Sequence, residues 1–172
     1  HTRWNELYEH DFTYKKSEMR DFTKGHCVLT SIHDNHAPRE DVSKVKESLP
    51  LTAKNEKYLQ KIIDLCEEKG IKLMLVKAPS NATREEKMYY NSVEKVAKER
   101  GVDYVDYNLY YDEIGIDMLT DFCDESHLNT KGAEKFSKYF SDVVKDLAKS
   151  APDDESWRAD YEKYLIDREK IQ

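Results

Sequence analysis

The sequence is sparing with backbone punctuation and with cross-links: 172 residues hold 5 glycines, 4 prolines and 3 cysteines. So little glycine and proline excludes a collagen-like or low-complexity chain. The cysteines, Cys27, Cys66 and Cys123, are odd in number and no CxxC occurs, which argues against a disulfide framework and a cysteine-based zinc site. No apolar run is long enough to span a bilayer and no signal-peptide pattern is present. Positive charge is in deficit, with 28 Lys and Arg against 35 Asp and Glu and a net charge of −7. That balance argues against sequence-independent nucleic-acid binding and against an anionic membrane surface, both of which need a basic face. An initial methionine is lacking as well, and the expectation is a processed chain or a piece of a longer one.

What is there is a folded domain. Hydrophobic residues make up 38% and charged residues 37%, but the apolar positions cluster and recur, which disordered chains do not show. The length suits one domain with a real core. The 12 tyrosines suit a polar-edged core, or a cleft that accepts sugar or acyl groups, and half-buried packing is the plainer role.

Residues 1–25 mix aromatic and charged side chains without a period. "HCVLTSI" (26–32) has the composition of a short strand, and the polar, proline-bearing 33–50 stretch reads as an exposed excursion. From there the pattern sharpens. Thr52 can cap a helix whose Leu59, Ile62, Ile63 and Cys66 share one face, closed by Gly70. "IKLMLVKAP" (71–79) reads as a strand buried on both faces. Thr83 and Glu86 form a capping box for a helix with Tyr89, Val93, Val96 and Ala97 inward and Gly101 as its stop. "VDYVDY" (102–107) alternates as a strand does. Ala133, Phe136, Phe140, Val143, Val144 and Leu147 trace another amphipathic helix.

Residues 51–148 thus predict helix, strand, helix, strand, long loop, helix, the alternation of a parallel α/β sheet. Sites in such sheets lie at the carboxyl ends of the strands, so the "APSN" turn (78–81) and the 108–130 loop should share one rim. Trp157, Tyr161, Tyr164 and Leu165 recur at helical spacing and predict a separate C-terminal amphipathic helix over 151–172. Only two or three strands are visible, fewer than the five or six of a complete doubly wound sheet.

The chemistry concentrates in "DFCDESHLNTKGAEKF" (121–136). An Asp three residues before a His can accept the Nδ1 proton of that imidazole and leave Nε2 outward as a base. Asp124 and His127 have this spacing, followed by Asn129 and Thr130 at a helix start, with Gly132 permitting close packing in its first turn. Asp121 and Glu125 read as solvated. A solvated helix-capping loop is the bland alternative for the whole stretch. A divalent-metal site is a third reading, because Asp121, Asp124 and His127 recur every three residues, although no second histidine is near.

"DESHLNTKGAEKFSKYF" resembles the last conserved block of the SGNH (GDSL-type) hydrolases, in which D-x-x-H supplies the Asp and His of a Ser-His-Asp triad. "KLMLVKAPSN" and "VDYVDYN" are similar to strands preceding that block. "HTRWNELYEHDF" is similar to a segment of envelope-associated relatives, including alginate acetyl-transfer and D-alanyl-transfer factors. The likeness covers residues 50–148 well and 1–32 loosely. It implies a three-layer flavodoxin-like parallel sheet over residues 1–150, with His127 as general base and Asp124 as its orienting carboxylate. It further implies an acyl-ester substrate such as an O-acylated glycan, no cofactor, no metal, and an extracellular or cell-envelope location. No G-D-S and no G-x-N-D occurs in the chain, so nucleophile and oxyanion-hole residues have no match. Ser31 lacks the Gly-Asp lead-in, and Ser80 and Asn81 match neither block. In this superfamily the serine block lies at the first strand. The expectation is therefore the C-terminal half of an SGNH-type serine esterase or O-acyltransferase, inactive alone. The competing expectation is a non-catalytic α/β binding or scaffold domain.

Overall fold

A computed structural model of the chain describes residues 29–33, 38–145 and 155–171. The chain divides into two compact units, one of residues 29–150 and one of residues 1–28 with 151–172. The aromatic lead-in at 1–25, Cys27, the 26–28 part of the strand candidate and Leu147 lie outside the described residues. Over 29–32 the chain forms no strand.

In the 29–150 unit, α1 (Ala53–Glu68) starts at Thr52, whose hydroxyl accepts the Asn55 N–H at 3.2 Å. It is followed by Gly70, whose φ of 63° favours glycine. β1 (Met74–Lys77) comes next. α2 (Arg84–Glu99) opens on a complete capping box: Thr83 Oγ1 accepts the Glu86 N–H at 3.2 Å, and the Glu86 carboxylate accepts the Thr83 N–H at 2.8 Å. β2 (Asp103–Asp106) runs parallel to β1, in register from Met74 opposite Asp103 to Lys77 opposite Asp106. A 3-10 turn at Tyr107–Leu109, the short α3 (Tyr111–Ile114) and α4 (Thr130–Val144) complete the order. Among the described residues the architecture is mixed α/β around a two-stranded parallel sheet, in the order of elements read from the sequence.

Several expectations need correction. Tyr89 on α2 and Val143 on α4 are exposed rather than inward, and α2 buries Lys87 and Asn91 beside Ala97. β1 is not buried on both faces: Val76 is 38% exposed while Leu75 and Lys77 on the other face are half-buried. The inward face of α1 is narrower than its apolar spacing suggests, with Ile63 fully buried and neighbouring Ile62 exposed. The 33–50 stretch is not simply an exposed excursion. A 3-10 turn at Val42–Lys44 puts Val42 and Val45 on one side, since that helix repeats every three residues. Both valines are buried with Ala82, and Met88 and Tyr90 pack against them. The Asn91 amide fastens the stretch by donating to the Val45 and Glu47 carbonyls at 3.0 and 2.8 Å.

α4 docks through aromatic packing. Tyr107, just past β2, is buried, with ring centroids 5.1 Å from Phe136, 6.0 Å from Tyr139 and 5.9 Å from Phe140. This is the packing role expected of the tyrosines.

In the other unit, α5 (Glu155–Ile171) is the helix expected near the C-terminus. Its apolar stripe is not a buried one: Trp157 and Tyr161 are exposed, while Tyr164 and Leu165 are half-buried.

Candidate functional site

The D-x-x-H stretch is the tip of a tight antiparallel loop that the sequence pattern did not reveal. Phe122 bridges to Leu128. The Asn129 N–H donates to the Asp121 carbonyl at 2.9 Å, and the Cys123 N–H to the His127 carbonyl at 3.0 Å. At the tip, Asp124 Oδ1 accepts the backbone N–H groups of Ser126 and His127, each at 2.8 Å. The same carboxylate meets the His127 ring, with Nδ1 2.8 Å from Oδ2 and 3.0 Å from Oδ1. The spacing therefore brings Asp124 and His127 into direct contact.

Facing a carboxylate on that side, the neutral ring carries its proton on Nδ1 and its lone pair on Nε2. The Ser126 N–H and then the His127 ring hold the Asp124 carboxyl down at about 2, so it is ionised at neutral pH. The pair is open to solvent, with 67% of the His127 side chain exposed. Ser126 Oγ lies 3.5 Å from Nδ1, the nitrogen that Asp124 already occupies, so it does not face the basic side of the ring.

Asp121, read as solvated, is fully buried. Its carboxylate pairs with Lys135 at 2.5 Å and Lys131 at 3.6 Å, and accepts the Asp117 N–H at 2.8 Å. Burial pushes its pKa up, but the Lys135 ammonium and the Asp117 N–H outweigh that, and the carboxyl lies below its usual value. Lys131 and Lys135, one turn apart on α4, stand over this loop base, a pairing that adjacent-residue spacing does not signal. Because Asp121 turns toward α4, the three-residue repeat does not gather Asp121, Asp124 and His127 around one point. Among the described residues no group of three His, Cys, Asp or Glu side chains is placed to hold a metal ion.

The loop stands on the start of α4. Asn129 caps that helix by accepting the Gly132 N–H at 3.1 Å, while its amide donates to the Thr120 carbonyl at 2.9 Å. Gly132 is required by space: a Cβ there would press on the Asp121 carbonyl and lie 2.9 Å from Asp121 Cβ.

The "APSN" turn and the acidic loop do share a rim. The Asn81 N–H donates to the Glu125 carbonyl at 3.1 Å, and the Asn81 amide to the Glu125 carboxylate at 2.8 Å. His33 Nε2 lies 3.6 Å from the other carboxylate oxygen. Glu125 is half-exposed, yet it joins three separate segments, a role its charged surroundings in sequence concealed.

Beneath the rim lies a buried polar chain. Lys87 pairs with Asp106 at 2.8 Å; Asp106 accepts the Asn108 N–H and amide; Asn108 Oδ1 accepts the Ser80 N–H at 2.8 Å. Ser80 Oγ accepts from Lys77 at 2.8 Å, and burial lowers the Lys77 pKa. Tyr111 donates to the Ser80 carbonyl at 2.7 Å, and its hydroxyl is pushed up to about 12 by burial. Ser80 is thus a structural residue below the surface. Ser31 contributes its carbonyl to the Asn129 amide at 3.3 Å. Cys123 is half-buried, with its thiol 3.4 Å from the His127 carbonyl, and Cys66 is half-buried on α1.

A protein-family model matches residues 2–149, most of the chain, and the chain belongs to that family; the match names no activity. No curated protein and no solved structure matches the chain.

Proposed function

We propose that the chain is the C-terminal portion of an SGNH-type serine esterase or O-acyltransferase with a flavodoxin-like sheet, its nucleophilic serine lying outside these 172 residues. The observation that carries the reading is the Asp124 carboxylate on His127 Nδ1 at 2.8 Å, with Nε2 left outward on the strand-end rim. The seryl hydroxyl attacks the ester carbonyl and passes its proton to His127 Nε2. The tetrahedral intermediate collapses, the C–O bond to the alcohol breaks, and the imidazolium returns the proton to the departing oxygen. Asp124 holds the tautomer and balances the charge that forms on the ring. Water or a second alcohol then takes the acyl group. The substrate class is an acyl ester, such as an O-acylated glycan of the cell envelope, which puts the protein outside the cytoplasm.

The test is His127→Ala in the protein that carries the upstream serine. Turnover of an aryl acetate should vanish while the melting temperature stays that of the parent, since the ring is exposed. Undiminished turnover would sink the assignment.

A second reading, a non-catalytic binding or scaffold domain, is supported by the same loop. Asp124 also accepts two backbone N–H groups, which is enough to order the tip without any chemistry. In that case no serine reagent labels the protein, and His127→Ala leaves its partner binding unchanged.

A further inference from the structure

A cavity of about 340 Å³ lies between the Val42–Lys44 turn, α2 and the Tyr107–Leu109 turn. That volume is within the range of small-molecule sites. Its lining includes Lys46, Lys87, Lys95 and Lys98 against a single acid, Glu94, a local reversal in a chain of net charge −7.

The lining divides by commitment. Lys87 is buried and neutralised by Asp106 at 2.8 Å, and the Asn91 amide is held by two carbonyls at 3.0 and 2.8 Å. These groups form a fixed wall. Lys46 gives one of its three N–H donors to the Ser43 carbonyl at 3.1 Å. Lys95 and Lys98, one turn apart on α2, stand exposed at the mouth. Three ammonium groups therefore outnumber one carboxylate where a ligand would enter. Val45 and Leu109 add apolar wall.

We infer that this cavity binds a small organic phosphate, the anion against the lysines and the organic body against Leu109. Ammonium groups act as compact point charges without the planar fork that matches a carboxylate, so they suit a tetrahedral anion whose oxygens accept from several directions. The overall negative charge repels long polyanions and leaves a small one as the fitting occupant. Neither Asp124 nor His127 lines the cavity, so the inference does not rest on the acyl-transfer reading.

The experiment is a titration of the full chain with ribose 5-phosphate, followed by calorimetry and by backbone amide shifts, with inorganic phosphate and citrate as comparison probes. Saturable binding is expected, with shifts at Lys95, Lys98 and Leu109. The double variant Lys95→Gln with Lys98→Gln should weaken it about tenfold, as expected for two exposed charge contacts, without changing the melting temperature. Raising salt should weaken it too. Equal affinity of the double variant would overturn the inference. So would equal affinity for inorganic phosphate or citrate, or no saturable shift at all.

Discussion

Asp124 serves both its own backbone and its neighbour's ring. Through Oδ1 it accepts two main-chain N–H groups, and Oδ2 takes the His127 Nδ1 proton. The pairing was legible in the D-x-x-H spacing because it is a local contact. The roles of Asp121 and Glu125 were not, since their partners lie on other elements: Lys135 on α4 for one, Asn81 and His33 for the other. A carboxyl held at about 2 in the fold, against about 4 in an open chain, contributes stability in full above about pH 4. That contribution is lost as pH falls through about 2. Asp124→Asn should therefore melt below the parent at pH 5, and the gap should narrow steadily as pH falls from about 4 through about 2. A gap that does not change with pH would show that the carboxylate is not held by these bonds.

At the scale of elements, the order of helices and strands and the helix starts were legible, because Thr52, Thr83 and Asn129 each place an oxygen where a helix leaves N–H groups open; the buried faces followed the apolar spacing less well, as exposed Ile62, Val76 and Tyr89 show. Two features escaped. The 38–50 stretch holds Val42, Val45 and Leu49 among charged residues and between two prolines, a composition that reads as loop, yet one 3-10 turn aligns the two valines into a small core. The antiparallel loop at 121–129 has no alternation to read, and it is closed by backbone bonds that any sequence can make. Its seat on α4 is specific, however. Gly132→Ala should destabilise the fold by about 1–3 kcal/mol through overpacking against Asp121, which exceeds the gain of up to about 1 kcal/mol in helix propensity. Urea denaturation measures the loss, and the His127 ring resonances should shift with it. Unchanged stability and resonances would show that the loop accommodates a methyl group.

For the molecule as a whole, the main-chain order of the α/β unit could be read from the sequence, but its polar interior could not. Lys87 occupies a helix position that pattern alone assigns to solvent, and its ammonium is matched by Asp106 at the end of β2. Removing one partner strands a buried charge, so Lys87→Met should cost about 3–5 kcal/mol. The double change of Lys87→Met with Asp106→Leu should recover part of that loss in a double-mutant cycle. Strictly additive losses would mean the two groups are uncoupled. A last consequence follows from the strap at residues 29–33. Leu29 accepts the Thr130 N–H at 2.7 Å, Ser31 accepts the Asn129 amide, and the His33 N–H donates to the Phe122 carbonyl at 3.0 Å. These bonds join residues about a hundred positions apart, so loop closure must precede them. On a ribosome, the first residues of this unit to emerge wait for nearly its last before they find their partners. The helices and the sheet can form early by neighbouring contacts, while the ground under His127 is laid only when synthesis of the unit is almost complete.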